Sequence, residues 1–432
     1  MRAGSRAGSP ISDPAAATIG AGPVPRGDRL SPAIRGAKFA IGALVVFVSA
    51  CAAEPHCAER PASAGLADFH AALGDLEAGK RRTINILHLG DSHIALDHLT
   101  GVLRGDWTRT YGDAGRGLPP GNPYRYYAPQ GYKVSMTGPW VAASSLKAGA
   151  TGPFGISGYR ISATSAAART SIEKEGGAFD EVEIEAMGGP STGSLMVALD
   201  GAVSLRLSTR APRTGLVRLR VPAASAHRVE IRPAGDGEIA LLGWALITGR
   251  PGIRYDSYGI SGATLDVVGH WDQGVVDAQI AALRPDLVIL GYGTNEGFND
   301  RLDLHAYAAK LGTLIARLKR LSPHASIAVL GPLDGARKAK SGEAATCGGG
   351  WTTPPKLAAL RDVQKSVAAK QDAFYFDLSG VMDGACGIAR WADAHPPLAW
   401  PDRVHLRTDG ARRAGAALLR ALMPHTKTCG QR

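Results

Sequence analysis

Short apolar runs at residues 83–89, 253–258, 286–292, 326–331 and 373–378 alternate with stretches of helical periodicity, and that alternation leaves few folds open. Apolar residues return every three or four positions at Leu96, Leu99, Leu103 and Trp107, and again at Leu265, Val268, Trp271, Val275 and Gln279. The same spacing predicts helices over 303–321 (Leu304, Tyr307, Leu311, Ile315, Leu318), 356–370 (Leu357, Leu360, Val363, Val367) and 409–423 (Ala411, Ala414, Leu418, Leu422), with another over 66–80. Strands joined through helices pair in parallel, because a helix-length crossover returns the chain to the same end of the sheet. The pattern therefore predicts an α/β domain, a parallel sheet with helices on both faces. Chemistry in such a sheet collects at the carboxyl ends of the strands.

Four blocks occupy those ends or follow the last strand. The first, Ile84-Asn85-Ile86-Leu87-His88-Leu89-Gly90-Asp91-Ser92-His93, passes directly into a helix of predicted span 94–109. A serine at such a turn exposes its hydroxyl and aims its backbone N–H outward, which suits a nucleophile, although Gly-Asp-Ser is also ordinary turn and N-cap chemistry. The second block, Tyr255-Asp256-Ser257-Tyr258-Gly259-Ile260-Ser261-Gly262-Ala263-Thr264, precedes the predicted helix 265–283. The third is Leu290-Gly291-Tyr292-Gly293-Thr294-Asn295-Glu296, and the fourth Pro401-Asp402-Arg403-Val404-His405. Together they supply a nucleophile, a backbone donor, an amide side chain and an Asp-x-x-His pair, the set that ester hydrolysis needs. Gly-Ile-Ser-Gly occurs twice, at 155–158 and 259–262; only the second has a strand before it and a helix after it, so Gly262 is the expected donor. Glu296 is expected only to cap or line the site.

In order and content these blocks resemble the SGNH branch of the GDSL hydrolases. The resemblance implies a flavodoxin-like three-layer sheet, with Ser92 as nucleophile, His405 as general base and Asp402 orienting the imidazole. It further implies an oxyanion hole built from the Ser92 and Gly262 N–H groups and the Asn295 amide. No cofactor is implied, and no Cys-x-x-Cys or His-x-x-x-His spacing suggests a metal. A narrower resemblance rests on Gly112-Asp113-Ala114-Gly115-Arg116-Gly117, on Cys347-Gly348, on Met382-Asp383-Gly384-Ala385-Cys386 and on Trp391 ahead of the Asp402–His405 block. These look like the bacterial peptidoglycan O-acetylesterases, which implies removal of acetyl from the C6 hydroxyl of N-acetylmuramic acid. Arg403 stands where such proteins usually have glycine. The alternatives are an acetylesterase for xylan, alginate or an exopolysaccharide, an O-acyltransferase, and a lipid or thioester hydrolase.

Residues 113–250 interrupt the alternation. Leu195, Val197 and Leu199 alternate into Asp200-Gly201, then Val203, Leu205 and Leu207 alternate out, a two-residue hairpin. Further strands are expected over 182–187, 216–221, 229–231 and 239–247, so the segment is read as an inserted all-β sandwich dividing the hydrolase into 65–112 and 251–432. It is a candidate carbohydrate-binding module, with Tyr124, Tyr126, Tyr127, Tyr132 and Trp140 as sugar-stacking faces; a lid or scaffold is the alternative.

Ahead of all this, residues 1–53 read as an export segment. Arg2, Arg6, Arg26, Arg29, Arg35 and Lys38 precede a ten-residue apolar core at 39–48, too short to span a bilayer. Val48-Ser49-Ala50-Cys51 resembles a bacterial lipoprotein box, with Cys51 lipidated and a membrane anchor as the result; cleavage near Ala50 or Ala52 is the alternative. Four of the five cysteines remain, an even number suited to an oxidising compartment such as the periplasm or cell envelope. Cys347 with Cys386 is the first expected pair, and Cys57 with Cys429 would tie the ends; free thiols are the alternative. The formal net charge of +11 suits an anionic envelope polymer, while the absence of a basic helix or aromatic–basic interleaving argues against nucleic acid.

Overall fold

The structure is a computed structural model that describes residues 65–124 and 127–423. The export segment, Cys51, Cys57, Cys429 and Tyr126 lie outside the described residues.

Six parallel strands form the centre: β1 (Thr83–Gly90), β2 (Asp113–Leu118), β3 (Gly252–Gly259), β4 (Leu287–Gly291), β5 (Ser326–Gly331) and β6 (Phe374–Asp377). Their spatial order is β2-β3-β1-β4-β5-β6. The chain therefore lays β3 on one side of β1 and β4 on the other, and the crevice opened by such a reversal is where open α/β sheets place ligands. Side chains alternate as a doubly covered sheet requires. Ile84 and Ile86 of β1 enter a core shared with the helices Ala67–Glu77, His98–Tyr111 and Thr408–Leu422. Leu87 and Leu89 enter the opposite core, with the helices Gln273–Leu283, Leu304–Leu321 and Leu357–Lys370.

Two predicted helices are broken. After Ser92–Ala95 the chain kinks at Asp97, which takes a left-handed backbone (φ 56°) before the helix His98–Tyr111. The buried Asp97 carboxylate explains the kink: it pairs with Arg104 at 2.9 Å and Arg116 at 3.1 Å and accepts the Gln130 N–H at 2.7 Å. Burial opposes its ionisation, but these cations outweigh burial and hold it well below the usual carboxylate range. The predicted helix 265–283 is a 3₁₀ turn, Leu265–His270, followed by a separate helix, Gln273–Leu283, that Asp272 caps through the Val275 N–H at 2.9 Å.

The β-rich segment is a sandwich, but its sheets do not stand apart from the α/β domain. One face is a five-stranded antiparallel sheet, in the order 132–137, 169–174, 228–233, 194–199, 202–208. The other is the central sheet itself, continued past β2 by Ile239–Ile247, Phe179–Gly188 and Gly215–Ala226. The boundary expected at 112/113 thus falls inside one continuous sheet, because β2 pairs parallel with β3 on one edge and antiparallel with Ile239–Ile247 on the other. The Asp200-Gly201 hairpin forms as expected, both residues at positive φ. The aromatic residues proposed as sugar platforms are mostly packing elements. Tyr132 is buried, Tyr127 and Trp140 pack against the sandwich core, and Tyr124 donates to the Ala95 carbonyl at 2.5 Å.

A shared sheet predicts one cooperative unfolding transition. Trp244, buried in Ile239–Ile247 with its indole N–H on the Pro119 carbonyl at 3.1 Å, belongs to both halves. Trp244→Ala should cost about 3–5 kcal/mol and lower the melting temperature seen by far-UV and by near-UV circular dichroism together. Two separated transitions would contradict the shared sheet.

Candidate active site

Ser92 sits on the sharp turn where β1 ends, and glycine makes that turn possible. A Cβ on Gly259 would lie 2.1 Å from the Ala95 nitrogen, so the turn packs against β3 only because that position has no side chain. The Asp91 carboxylate caps the turn by accepting the His93 N–H at 3.0 Å. Ser92 is 5 % exposed.

Across 313 positions of sequence, His405 Nε2 lies 2.9 Å from Ser92 Oγ. His405 Nδ1 lies 2.7 Å from Asp402 Oδ2, and the other Asp402 oxygen accepts the Val404 and His405 N–H groups at 3.0 and 3.1 Å. Partial burial opposes the Asp402 charge, but these hydrogen bonds outweigh it and keep the carboxyl below its ordinary value. With Nδ1–H donated to that carboxylate, Nε2 carries the free lone pair and faces the serine hydroxyl. A hydroxyl so placed can yield its proton as it attacks a carbonyl carbon.

Candidate oxyanion donors converge on the same strand ends. The Ile260 N–H bonds to Gly90 O at 3.0 Å, which ties the Gly262 turn to the end of β1. Asn295, on the short helix Thr294–Gly297 after β4, donates to the Ala263 carbonyl at 2.8 Å and so braces that turn from the other side. This uses one of the two amide hydrogens and leaves the second available. Gly262 has φ +81°, and neither its N–H nor that of Ser92 has a partner among the described residues. The earlier Gly-Ile-Ser-Gly copy plays no such part: it packs on the Gln273–Leu283 helix, with the Ile156 N–H on Gln279 at 2.7 Å.

Arg403 occupies a left-handed conformation (φ 55°), which costs a non-glycine residue on the order of 1 kcal/mol. Its side chain offsets the cost by pairing with Asp393 at 2.9 Å and stacking over Trp351 at 4.7 Å. Its carbonyl accepts the Ala336 N–H at 3.0 Å, joining the Asp402–His405 turn to the segment that follows β5. The expected first cysteine pair, Cys347 with Cys386, forms a disulfide.

Two residues beside the site were not singled out from the sequence. The His93 side chain is largely but not fully buried, and both its ring nitrogens face acceptors: Asp91 Oδ1 at 3.2 Å and the Val404 carbonyl at 3.1 Å. An imidazole donates from both nitrogens only when protonated. Burial disfavours that charge, but Asp91 and Val404 outweigh it and raise the pKa. His93 thus pins the backbone beside His405 to the nucleophile turn, its ring 5.3 Å from the His405 ring. His88, on β1, is the opposite case: burial pushes its pKa down to about 3, and it is neutral. Neither state is readable locally, because the Val404 carbonyl that meets His93 and the Tyr255 hydroxyl that meets His88 lie far away in sequence.

Glu296 does more than line the site. Its Oε1 accepts the Leu265 N–H at 2.7 Å, a second brace on the Gly262 turn, while Oε2 is buried without a partner. Burial, only partly offset by that N–H, raises its pKa to about 7. The folded state therefore binds a proton between pH 4.5 and 7 that the unfolded chain has lost, and stability falls as pH rises through that window. Glu296→Gln keeps the acceptor and removes the titration. Denaturation midpoints across this range should flatten in the variant by an amount on the order of 3 kcal/mol; an unchanged slope would contradict the assignment.

Residues 234–413 match the family model for the GDSL-like Lipase/Acylhydrolase family. That span holds Gly262, Asn295, Asp402 and His405, while Ser92 lies upstream of it, beyond the β-rich insertion. No curated protein matches the sequence significantly. Among solved structures, a peptidoglycan O-acetylesterase superimposes with a TM-score of 0.70 at 24 % identity, over 82 % of this chain and 95 % of that one. An acetyl-xylooligosaccharide esterase from Geobacillus matches at 21 % identity and a TM-score of 0.30, over 40 % of this chain and 73 % of its own. A family two carbohydrate esterase from Clostridium thermocellum matches at 11 % identity and a TM-score of 0.29, over 65 % of this chain and 97 % of its own. Carrying a GDSL-like domain in an SGNH-type α/β fold, the chain is a carboxylic ester hydrolase.

Proposed function

We propose that this protein is a serine esterase that removes O-acetyl groups from a cell-envelope glycan, with the C6 O-acetyl of N-acetylmuramic acid in peptidoglycan as its substrate. The observation that carries the reading is the continuous line from Asp402 through His405 to Ser92 Oγ, with hydrogen bonds of 2.7 and 2.9 Å. Ser92 Oγ attacks the acetyl carbonyl carbon as His405 Nε2 takes its proton, and Asp402 stabilises the imidazolium. The carbonyl oxygen becomes an oxyanion received by the Ser92 and Gly262 N–H groups and the Asn295 amide. Collapse breaks the bond to the sugar oxygen, which takes the His405 proton and leaves acetyl on Ser92. Water then attacks, giving its proton to His405; acetate departs and the proton returns to Ser92.

The setting favours a small acyl group on a bulky carrier. Ser92 is nearly buried, while the Asp402 and His405 side chains are 48 % and 29 % exposed, so the open side faces outward. The solved peptidoglycan O-acetylesterase, similar over most of the chain, supports the choice of glycan. The reading includes export to the periplasm or cell envelope, either free or anchored at a lipidated Cys51. The Cys347–Cys386 disulfide supports export, since such bonds persist in oxidising compartments.

Acetate release should be measured on O-acetylated peptidoglycan, acetylxylan and acetylated alginate, with and without a sugar acceptor. Peptidoglycan should be the best substrate and acetate the product; better release from xylan or alginate, or acetyl transfer to the acceptor, would overturn the substrate or the reaction. Ser92→Ala should abolish release without unfolding the chain. Asn295→Ala should lower kcat by about 10²–10³ with a smaller change in KM, and near-normal kcat would mean another oxyanion donor.

A further inference from the structure

Two side chains on the rim of the site are unused by the chemistry above. Ala399 and Leu406 form an antiparallel bridge, flanked by Trp400 N–H to His405 O at 2.8 Å and Arg407 N–H to Leu398 O at 2.9 Å. Residues opposed across such a ladder share a face, and successive residues alternate. Ala399 and Leu406 are buried in the core, whereas the Trp400 and Arg407 side chains stack on each other outside it, with Trp400 bonded through its backbone to His405. Directly opposed residues have Cβ atoms about 4.5–5.5 Å apart, which sets Trp400 beside the imidazole that reaches Ser92.

Trp400 is 43 % exposed, unusual for so large an apolar side chain. The Arg407 guanidinium lies over its ring, 4.4 Å from the centroid. Nearby Arg403 is neutralised by Asp393, whereas Arg407 has no ion pair among the described residues, and its Nε is buried without a partner. Arg407 also occupies the N-cap position of the helix Thr408–Leu422, where the helix dipole disfavours a cation. Packing alone does not account for an uncompensated cation held against an exposed indole.

We propose that Trp400 and Arg407 form a subsite for a carboxylate-bearing sugar, seating the pyranose that carries the acetyl group. The indole presents a flat apolar surface to the C–H face of the ring, and the stacked, pre-oriented guanidinium receives the carboxylate in a bidentate pair. The lactyl carboxylate of a muramic acid residue that carries no stem peptide is the group it fits. The assignment rests on the esterase reading above and adds to it the charge preference of the substrate.

The test compares 6-O-acetyl-N-acetylmuramic acid, with its lactyl carboxylate free, against 6-O-acetyl-N-acetylglucosamine, which lacks that group, and p-nitrophenyl acetate. In the parent, the muramic compound should be preferred. Arg407→Gln should lower that preference by about tenfold, mainly through KM. Trp400→Ala should lower kcat/KM on both sugars relative to p-nitrophenyl acetate. Equal loss on both sugars in Arg407→Gln, or a parallel loss on p-nitrophenyl acetate in Trp400→Ala, would overturn the subsite while leaving the esterase in place. A parent enzyme that cleaves p-nitrophenyl acetate but neither sugar would overturn the glycan assignment as well.

Discussion

Three neighbouring strands end in glycine at one level of the sheet, and the site depends on that register. Gly90 of β1 pairs with Gly259 of β3 on one side and Gly291 of β4 on the other. A Cβ on Gly90 would lie 2.5 Å from Gly291 O, which like the intrusion at Gly259 is closer than backbone can accept. Three chain segments therefore turn away from the sheet in close contact, carrying Ser92, Gly262 and Asn295 to adjacent positions. Nothing flexible intervenes between the hydrogen-bonded ladder and these residues, so a rigid sheet sets donor geometry, the condition for stabilising a charge without reorganisation.

The triad closes from outside that sheet, which poses a different problem. His405 and Asp402 stand on a loop far along the chain, and three contacts hold the loop. His93 Nε2 meets the Val404 carbonyl, the Ala336 N–H grips Arg403 O, and Arg403 itself joins Asp393 and Trp351. Asp91 is buried, and losing His93 would leave its carboxylate without that partner, which destabilises a buried charge. Stability is thereby concentrated where the nucleophile turn meets the base.

Much of this was legible in the sequence because its signals are local. Period-3.6 stripes marked the helices and apolar runs the central strands, as at 326–331, where the observed strand has the predicted span. The four site blocks were visible as blocks. What escaped depends on distant partners. The kink at Asp97 needs Arg116 and Gln130; β2, Gly-rich and short, has no readable periodicity and is defined by its neighbours. That the β-rich segment continues the hydrolase sheet follows from β2 having a partner on each edge. Glu296 looked like a lining residue because its role lies in one bond to Leu265, and the charge on His93 requires an acceptor at Val404.

The central claim is that the line from Asp402 to Ser92 performs covalent catalysis, and the covalent state itself can be observed. A reaction with an activated acetyl ester, quenched in acid within one turnover and mapped by peptide mass spectrometry, should place a single acetyl group on the peptide containing Ser92, at Ser92. The modification should be absent when His405 is replaced. Turnover with no acetylated peptide under conditions that make deacetylation slow, or with the acetyl group on another residue, would contradict the account.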